Sequence, residues 1–211
     1  FALPAVTVFD WKSGGLTVLL AVCCAGISIL FCMVLHHTEH LYKKWIPNEY
    51  LRIAAGGCLV ILITVLLGTT DYLGAGMDII ERAMEGRVFA AAFLLKMIFT
   101  AVSLGSGYRG GEIVPTLFVG ATFGCLFGRL TGLPPSLGAA CGMASVFCGV
   151  TNCPVSSLFL SFELFGFECM PFFLLSVSIS YLESGYYGLY HSQKILYSKT
   201  KLQFINAHTK E

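Results

Sequence analysis

The sequence is poor in charge. Only 12% of its 211 residues are Asp, Glu, Lys or Arg, about half the share usual in soluble domains. With 56% hydrophobic residues and a mean hydropathy of +0.77, that shortage excludes an ordinary soluble domain and points to several membrane spans. A basic stripe with interleaved aromatics is missing and the formal net charge is +1, so nucleic acid is set aside as a partner. The nine cysteines form no CxxC pair and no Cys/His metal spacing. Cys23, Cys24, Cys32, Cys58, Cys125, Cys141 and Cys148 lie in apolar or Gly-rich runs, where a thiol serves as a small packing group. Reduced, structural cysteines are expected, with no metal and no cofactor. His36 and His40 share a helix face, but the HExxH order is absent. Tyr42, Lys43, Lys44 and Trp45 beside them read as an interfacial belt. The GxxxxGK[ST] loop of nucleotide-using enzymes is also lacking, and no enzymatic activity is expected. Nor does a basic leader precede the first apolar run, so Phe1 is expected to lie within a longer polypeptide.

What is present is a series of apolar runs of unequal length. Leu16–Leu35 is long enough to cross about 30 Å of hydrocarbon, and Pro47-Asn48 should break the helix that continues from it. Ile53–Leu67 is a shorter span. Gly68–Gly86 is a polar connector in which Met77, Ile80 and Met84 suggest a short amphipathic helix. Val88–Leu104 carries Lys96, a charge too costly to leave unpaired in an apolar helix. Its expected partner, in a structural ion pair, is Glu163, a charge on another apolar helix with no nearer candidate partner. Thr116–Leu130, Leu137–Val150, Val155–Phe165 and Pro171–Leu189 are mostly too short for upright crossings. Gly120, Gly124 and Gly128 recur every four residues and bare one helix face for close packing. The tail from His191 is polar and basic and, with Lys43, Lys44 and Arg52, is expected on the cytoplasmic side. The expected fold, over residues 1–211 as one unit, is all-α: a polytopic membrane protein of tilted, broken and re-entrant helices.

The least membrane-like stretch lies in the middle of the chain. Gly105–Pro115 reads Gly-Ser-Gly-Tyr-Arg-Gly-Gly-Glu-Ile-Val-Pro and separates two apolar runs. Irregular backbone at bilayer depth survives only where protein or water satisfies its polar groups. Pro115 fits the first turn of a new helix. The amides just upstream, with the positive end of the helix dipole, favour an anion. Arg109 reads as a solvated loop arginine. Glu112 complements the dipole; beside a halide, the same carboxylate is repulsive unless it takes up a proton and donates a hydrogen bond.

At these residues the chain resembles the CLC family of anion channels and proton-coupled anion transporters, over the family's C-terminal half. Gly110-Gly111-Glu112-Ile113-Val114-Pro115 is similar to the family's Gly-Gly-x-Phe-x-Pro element, with Ile113 in place of Phe. Pro154–Glu163 resembles its apolar helix ending in Glu. Tyr190, in Gly188-Leu189-Tyr190-His191-Ser192, resembles a Tyr near the start of the family's last helix whose hydroxyl touches the anion, with Tyr197 as the alternative. The resemblance implies an anion site made by the amides of Glu112 and Ile113 together with Tyr190, and proton/anion coupling at Glu112. Glu112 stands where chloride-handling members commonly have an apolar residue and looks like the fluoride-exporting clade. Fluoride/proton antiport is thus implied, with chloride/proton exchange or a chloride channel as the alternative. The Gly-Ser-Gly-Ile-Pro-type and Gly-x-Glu-Gly-Pro-type elements of the N-terminal half do not occur in these residues. The implied partners are that half, carrying the gating Glu, a second copy in a homodimer, fluoride or chloride, protons and membrane lipid. The implied setting is a microbial plasma or inner membrane.

Overall fold

The first helix runs well past the first predicted span. In the computed structural model, which describes residues 9–190, 192–201 and 203–209, helix α1 covers Trp11–Trp45. At 1.5 Å per residue it is about 50 Å long, more than the thickness of a bilayer core. Its buried residues, among them Ser28, Phe31, Cys32 and Leu35, step by three and four. That stripe carries on into His36 and Glu39. Asn48 then caps α2 (Glu49–Leu67) by accepting from the amide of Tyr50 at 3.0 Å, a side-chain cap of the usual kind.

The connector holds the expected amphipathic helix as α3 (Met77–Met84), with Ile79, Ile80, Ala83 and Met84 buried. Helix α4 (Ala92–Gly105) leads into the Gly-rich break, and α5 (Ile113–Thr131) leaves it. Three short helices follow: α6 (Pro135–Thr151), α7 (Pro154–Phe165) and α8 (Met170–Glu183). Helices α1, α2 and α5 are long and apolar enough to cross a membrane, whereas α4, α6, α7 and α8 are apolar but shorter. The broken, polytopic helical architecture read from the sequence is the one observed. Among the described residues it departs from an all-α chain in the tail, where β1 (Lys194–Tyr197) and β2 (Phe204–His208) form an antiparallel hairpin with Lys194 opposite His208.

Helix α6 is the centre. Every residue from Ser136 to Thr151 is buried, and α1, α5 and α8 pack around it. The closest approach is to α5, through glycine on both sides. A Cβ on Gly124 would lie 2.0 Å from the carbonyl oxygen of Gly138, and one on Gly120 would lie 2.4 Å from that of Gly142. The glycine face predicted on α5 therefore meets a second glycine pair, and the two backbones touch as in other small-residue membrane contacts.

Lys96 corrects one expectation. It is 2% exposed, but its Nζ donates to the carbonyls of Tyr72 (3.1 Å) and Gly74 (2.6 Å) and lies 5.0 Å from the Phe118 ring centre. Glu163 is exposed on α7, a helix that packs on α6 and α8, so the proposed Lys96–Glu163 ion pair does not form. The connector between α2 and α3 curls over α4 and supplies main-chain oxygens where the sequence suggested a carboxylate.

Candidate anion site

The break between α4 and α5 is assembled from both sides. Helix α4 ends at Gly105, which sits against α1: a Cβ there would lie 2.9 Å from Thr38 Cγ2 and 3.1 Å from the Glu39 amide nitrogen. The last turn closes through Gly107 N donating to Leu104 O (3.0 Å) and Tyr108 N to Ser103 O (3.3 Å). From α2, Arg52 Nε donates to Ser106 O at 3.3 Å. Arg109, Gly110 and Gly111 then run exposed and irregular.

Glu112 is the N-cap residue of α5, and Ile113 the first helical one. The helix thus begins two residues before Pro115, which still falls among the first amides that a helix leaves unpaired. Among the described residues, the amides of Gly110, Gly111 and Ile113 engage no backbone carbonyl. Thr116 tightens the first turn by donating its hydroxyl to Ile113 O at 2.6 Å. Unpaired amides and the dipole of a five-turn helix together make this end attractive to negative charge.

Two cavities flank the break. One, of about 320 Å³, is bordered by His36, Glu39, Arg109, Gly110, Glu112 and Leu189. The other, of about 390 Å³, is bordered by Lys96, Thr100, Ser103, Gly110, Gly111 and Val114. Tyr190 follows Leu189 directly, and burial, with the Glu112 carboxylate as the next contribution, pushes its phenol upward. The phenol therefore remains a hydroxyl, a hydrogen-bond donor, at neutral pH. The structure brings Glu112, at the start of α5, and Leu189 to one cavity; Tyr190, the next residue, is exposed and is not among the residues that border it. Tyr197, the alternative, instead packs its ring on Phe204 of the hairpin at 5.6 Å. Among the described residues no helix begins at Tyr190; the chain passes from α8 through this segment into β1.

The sequence reading missed His36 and Glu39 as cavity residues. His36 reads from sequence as part of an interfacial belt, and Glu39 lies in the same polar stretch after Leu35. The signal that could have found them is the unbroken helical stripe from Cys32 through His36 to Glu39. His36 Nε2 lies 3.3 Å from Leu189 O, so α1 also touches the segment that carries Tyr190.

Short broken helices around a Gly-rich break, with one helix N-terminus opening on a cavity at mid-chain, define the class of polytopic ion-handling membrane proteins. Residues 1–185 match the Voltage gated chloride channel family, and the chain belongs to it. A "Chloride/fluoride channel protein" of Pseudomonas syringae pv. tomato is 35% identical over 191 residues, covering 85% of this chain and 42% of that protein. The "Voltage-gated ClC-type chloride channel ClcB" of Salmonella typhimurium is 30% identical over 168 residues, covering 74% of this chain and 39% of that protein. Among solved structures, a CLC-type fluoride/proton antiporter superposes with a TM-score of 0.85 at 29% identity, over 90% of this chain and 48% of that one. The chain thus spans less than half the length of these relatives.

Proposed function

We propose that the protein containing this chain exports fluoride in exchange for protons, and that this chain forms the C-terminal half of each ion pathway. The amides of Glu112 and Ile113 bind the dehydrated anion, and the Tyr190 hydroxyl donates to it. When it carries a proton, the Glu112 carboxyl adds a donor of its own. Fluoride, the smallest and most basic halide, gains most from such donors. A gating Glu in the N-terminal half completes proton exchange, and two copies form a homodimer in a microbial cell membrane. The observation that carries this reading is Glu112 at the N-cap of α5, on the wall of the cavity that Leu189, the residue before Tyr190, also borders.

Anion efflux from vesicles reconstituted with the whole protein tests it. Fluoride is expected to leave faster than chloride and to draw protons inward. Glu112→Gln cannot lose or gain a proton, so it is expected to abolish proton uptake while leaving anion-selective binding measurable by calorimetry. Chloride flux equal to or above fluoride flux removes the fluoride assignment. The second reading, chloride exchange or a chloride channel, is favoured by the names of the ClcB relatives and predicts that outcome.

A further inference from the structure

We infer that the C-terminal hairpin is a clamp that fixes the position of Tyr190, with Thr209 and Lys199 as its positioning residues. The inference rests on the reading of Tyr190 as an anion ligand. Among the described residues between α8 and β1 there is no helix, so the local support of Tyr190 is a turn bond from Gln193 N to its carbonyl. The rest of its placement comes from three distant segments. Leu189 N donates to Val150 O on α6 at 2.9 Å, and Leu189 O meets His36 of α1. The next carbonyl, that of Tyr190, accepts from the Thr209 hydroxyl at 2.9 Å and from Gln193 N at 3.0 Å. Thr209 immediately follows β2, and its own amide donates to Gln193 O at 3.2 Å, closing the base of the hairpin. The Gln193 side chain in turn donates to Thr151 O at 2.8 Å. Gly188 lets the base sit flush, since a Cβ there would lie 2.7 Å from Thr209 Cγ2.

The far end of the hairpin is anchored as firmly. Lys199 lies in the turn between the strands, and its Nζ donates to Asn152 Oδ1 (2.5 Å), Tyr181 O (2.7 Å) and Ser184 Oγ (3.1 Å). It also stands 4.3 Å from the Tyr181 ring centre. These bonds employ all three ammonium donors at the C-terminal ends of α6 and α8, where the helix dipoles favour a cation. Burial pulls the Lys199 ammonium down to about 8, which leaves it charged at neutral pH. Asn152, in the left-handed region at φ 56°, passes the anchor on by donating to Tyr187 O at 2.7 Å. A two-stranded hairpin is marginal by itself; here it is fastened at both ends, and its base bonds the peptide of Tyr190. With the carbonyls of Leu189 and Tyr190 both held, the axis about which the phenol swings is fixed. Ligand groups need that kind of support to hold sub-ångström geometry.

The test uses the whole protein in vesicles, with fluoride and chloride efflux measured over a range of anion concentrations. Thr209→Val keeps the side-chain shape and removes the hydroxyl. It is expected to raise the apparent KM for the transported anion about five-fold, the loss of one hydrogen bond's positioning, while Thr209→Ser retains wild-type behaviour. In a Tyr190→Phe background, Thr209→Val is expected to add nothing, because both changes act on one hydroxyl. A KM unchanged by Thr209→Val where Tyr190→Phe shifts it overturns the clamp, as does an independent, additive loss in the double variant. A silent Tyr190→Phe instead removes the reading of Tyr190 as a ligand, and the clamp with it. Should Thr209→Val fail to accumulate, Lys199→Met frees the far end without touching the Tyr190 carbonyl and carries the same expectations.

Discussion

Lys96 is a residue whose need was legible and whose partner was not. A charge inside an apolar helix announces that something must satisfy it, but every residue carries a carbonyl, so main-chain acceptors leave no mark in the sequence. Only the path of the connector decides that Tyr72 O and Gly74 O arrive at the ammonium. Lys96→Met keeps the packing stem and strands the buried Tyr72 carbonyl, while water can reach that of exposed Gly74, with an expected cost of about 1–3 kcal/mol for the buried acceptor left without a donor. Glu163→Gln is expected to change nothing, being exposed on another helix. Thermal unfolding of the two purified variants checks this, and equal losses would restore the ion pair. Glu112 contrasts with Lys96: its place next to Gly110-Gly111 marked it from sequence as the end of a helix, and that is where it stands.

At the scale of elements, the glycine spacing on α5 was the most readable feature, because a four-residue repeat maps onto one helix face. Its counterpart, Gly138 and Gly142 on α6, has the same spacing; what the sequence does not state is the register that sets Gly124 against Gly138 and Gly120 against Gly142. Gly124→Ala puts a methyl into a backbone that has no room to move and is expected to destabilise by about 1–3 kcal/mol or more. Gly26→Ala, on α1 with nothing within 4 Å of the added Cβ, is expected to be neutral or to stabilise by about 0.5–1 kcal/mol through backbone entropy. Denaturation of both variants in detergent measures the contrast, and similar effects would contradict the zipper. Two elements were read short or missed. The first ten residues beyond Leu35 stay helical because a polar stripe can face a cavity as readily as an apolar stripe faces lipid. The hairpin was hidden because its anchors, Lys199 to Asn152 and Thr209 to Tyr190, join residues far apart in the chain.

Over the whole molecule, the uneven burial of the helices is the telling feature. Helix α6 is buried along its length, whereas α2 buries only Gly56 and exposes Ile61, Leu62, Val65 and Leu66. A contiguous apolar row of this kind requires cover by lipid or protein. A spin label at Val65 in the reconstituted protein is expected to be shielded from water-soluble relaxers, by acyl chains or by protein packed on it. Free access by an aqueous nickel chelate would place α2 outside the membrane. The same unevenness fits a chain that aligns with 48% of a matched structure.

The amino-acid order by itself determined the class of fold, the series of broken apolar helices, the glycine face and a helix start near Pro115. Each of these follows from composition or from a period within one segment. The tertiary structure alone decided what satisfies Lys96, that His36 and Glu39 reach the cavity of Glu112, and that a strand hairpin holds the peptide of Tyr190. Those outcomes depend on hydrogen bonds between side chains and backbone carbonyls that join positions from 19 residues apart, Thr209 to Tyr190, to 153 residues apart, His36 to Leu189. A backbone carbonyl is chemically the same at every position, so its role is fixed only when folding brings a particular donor to it.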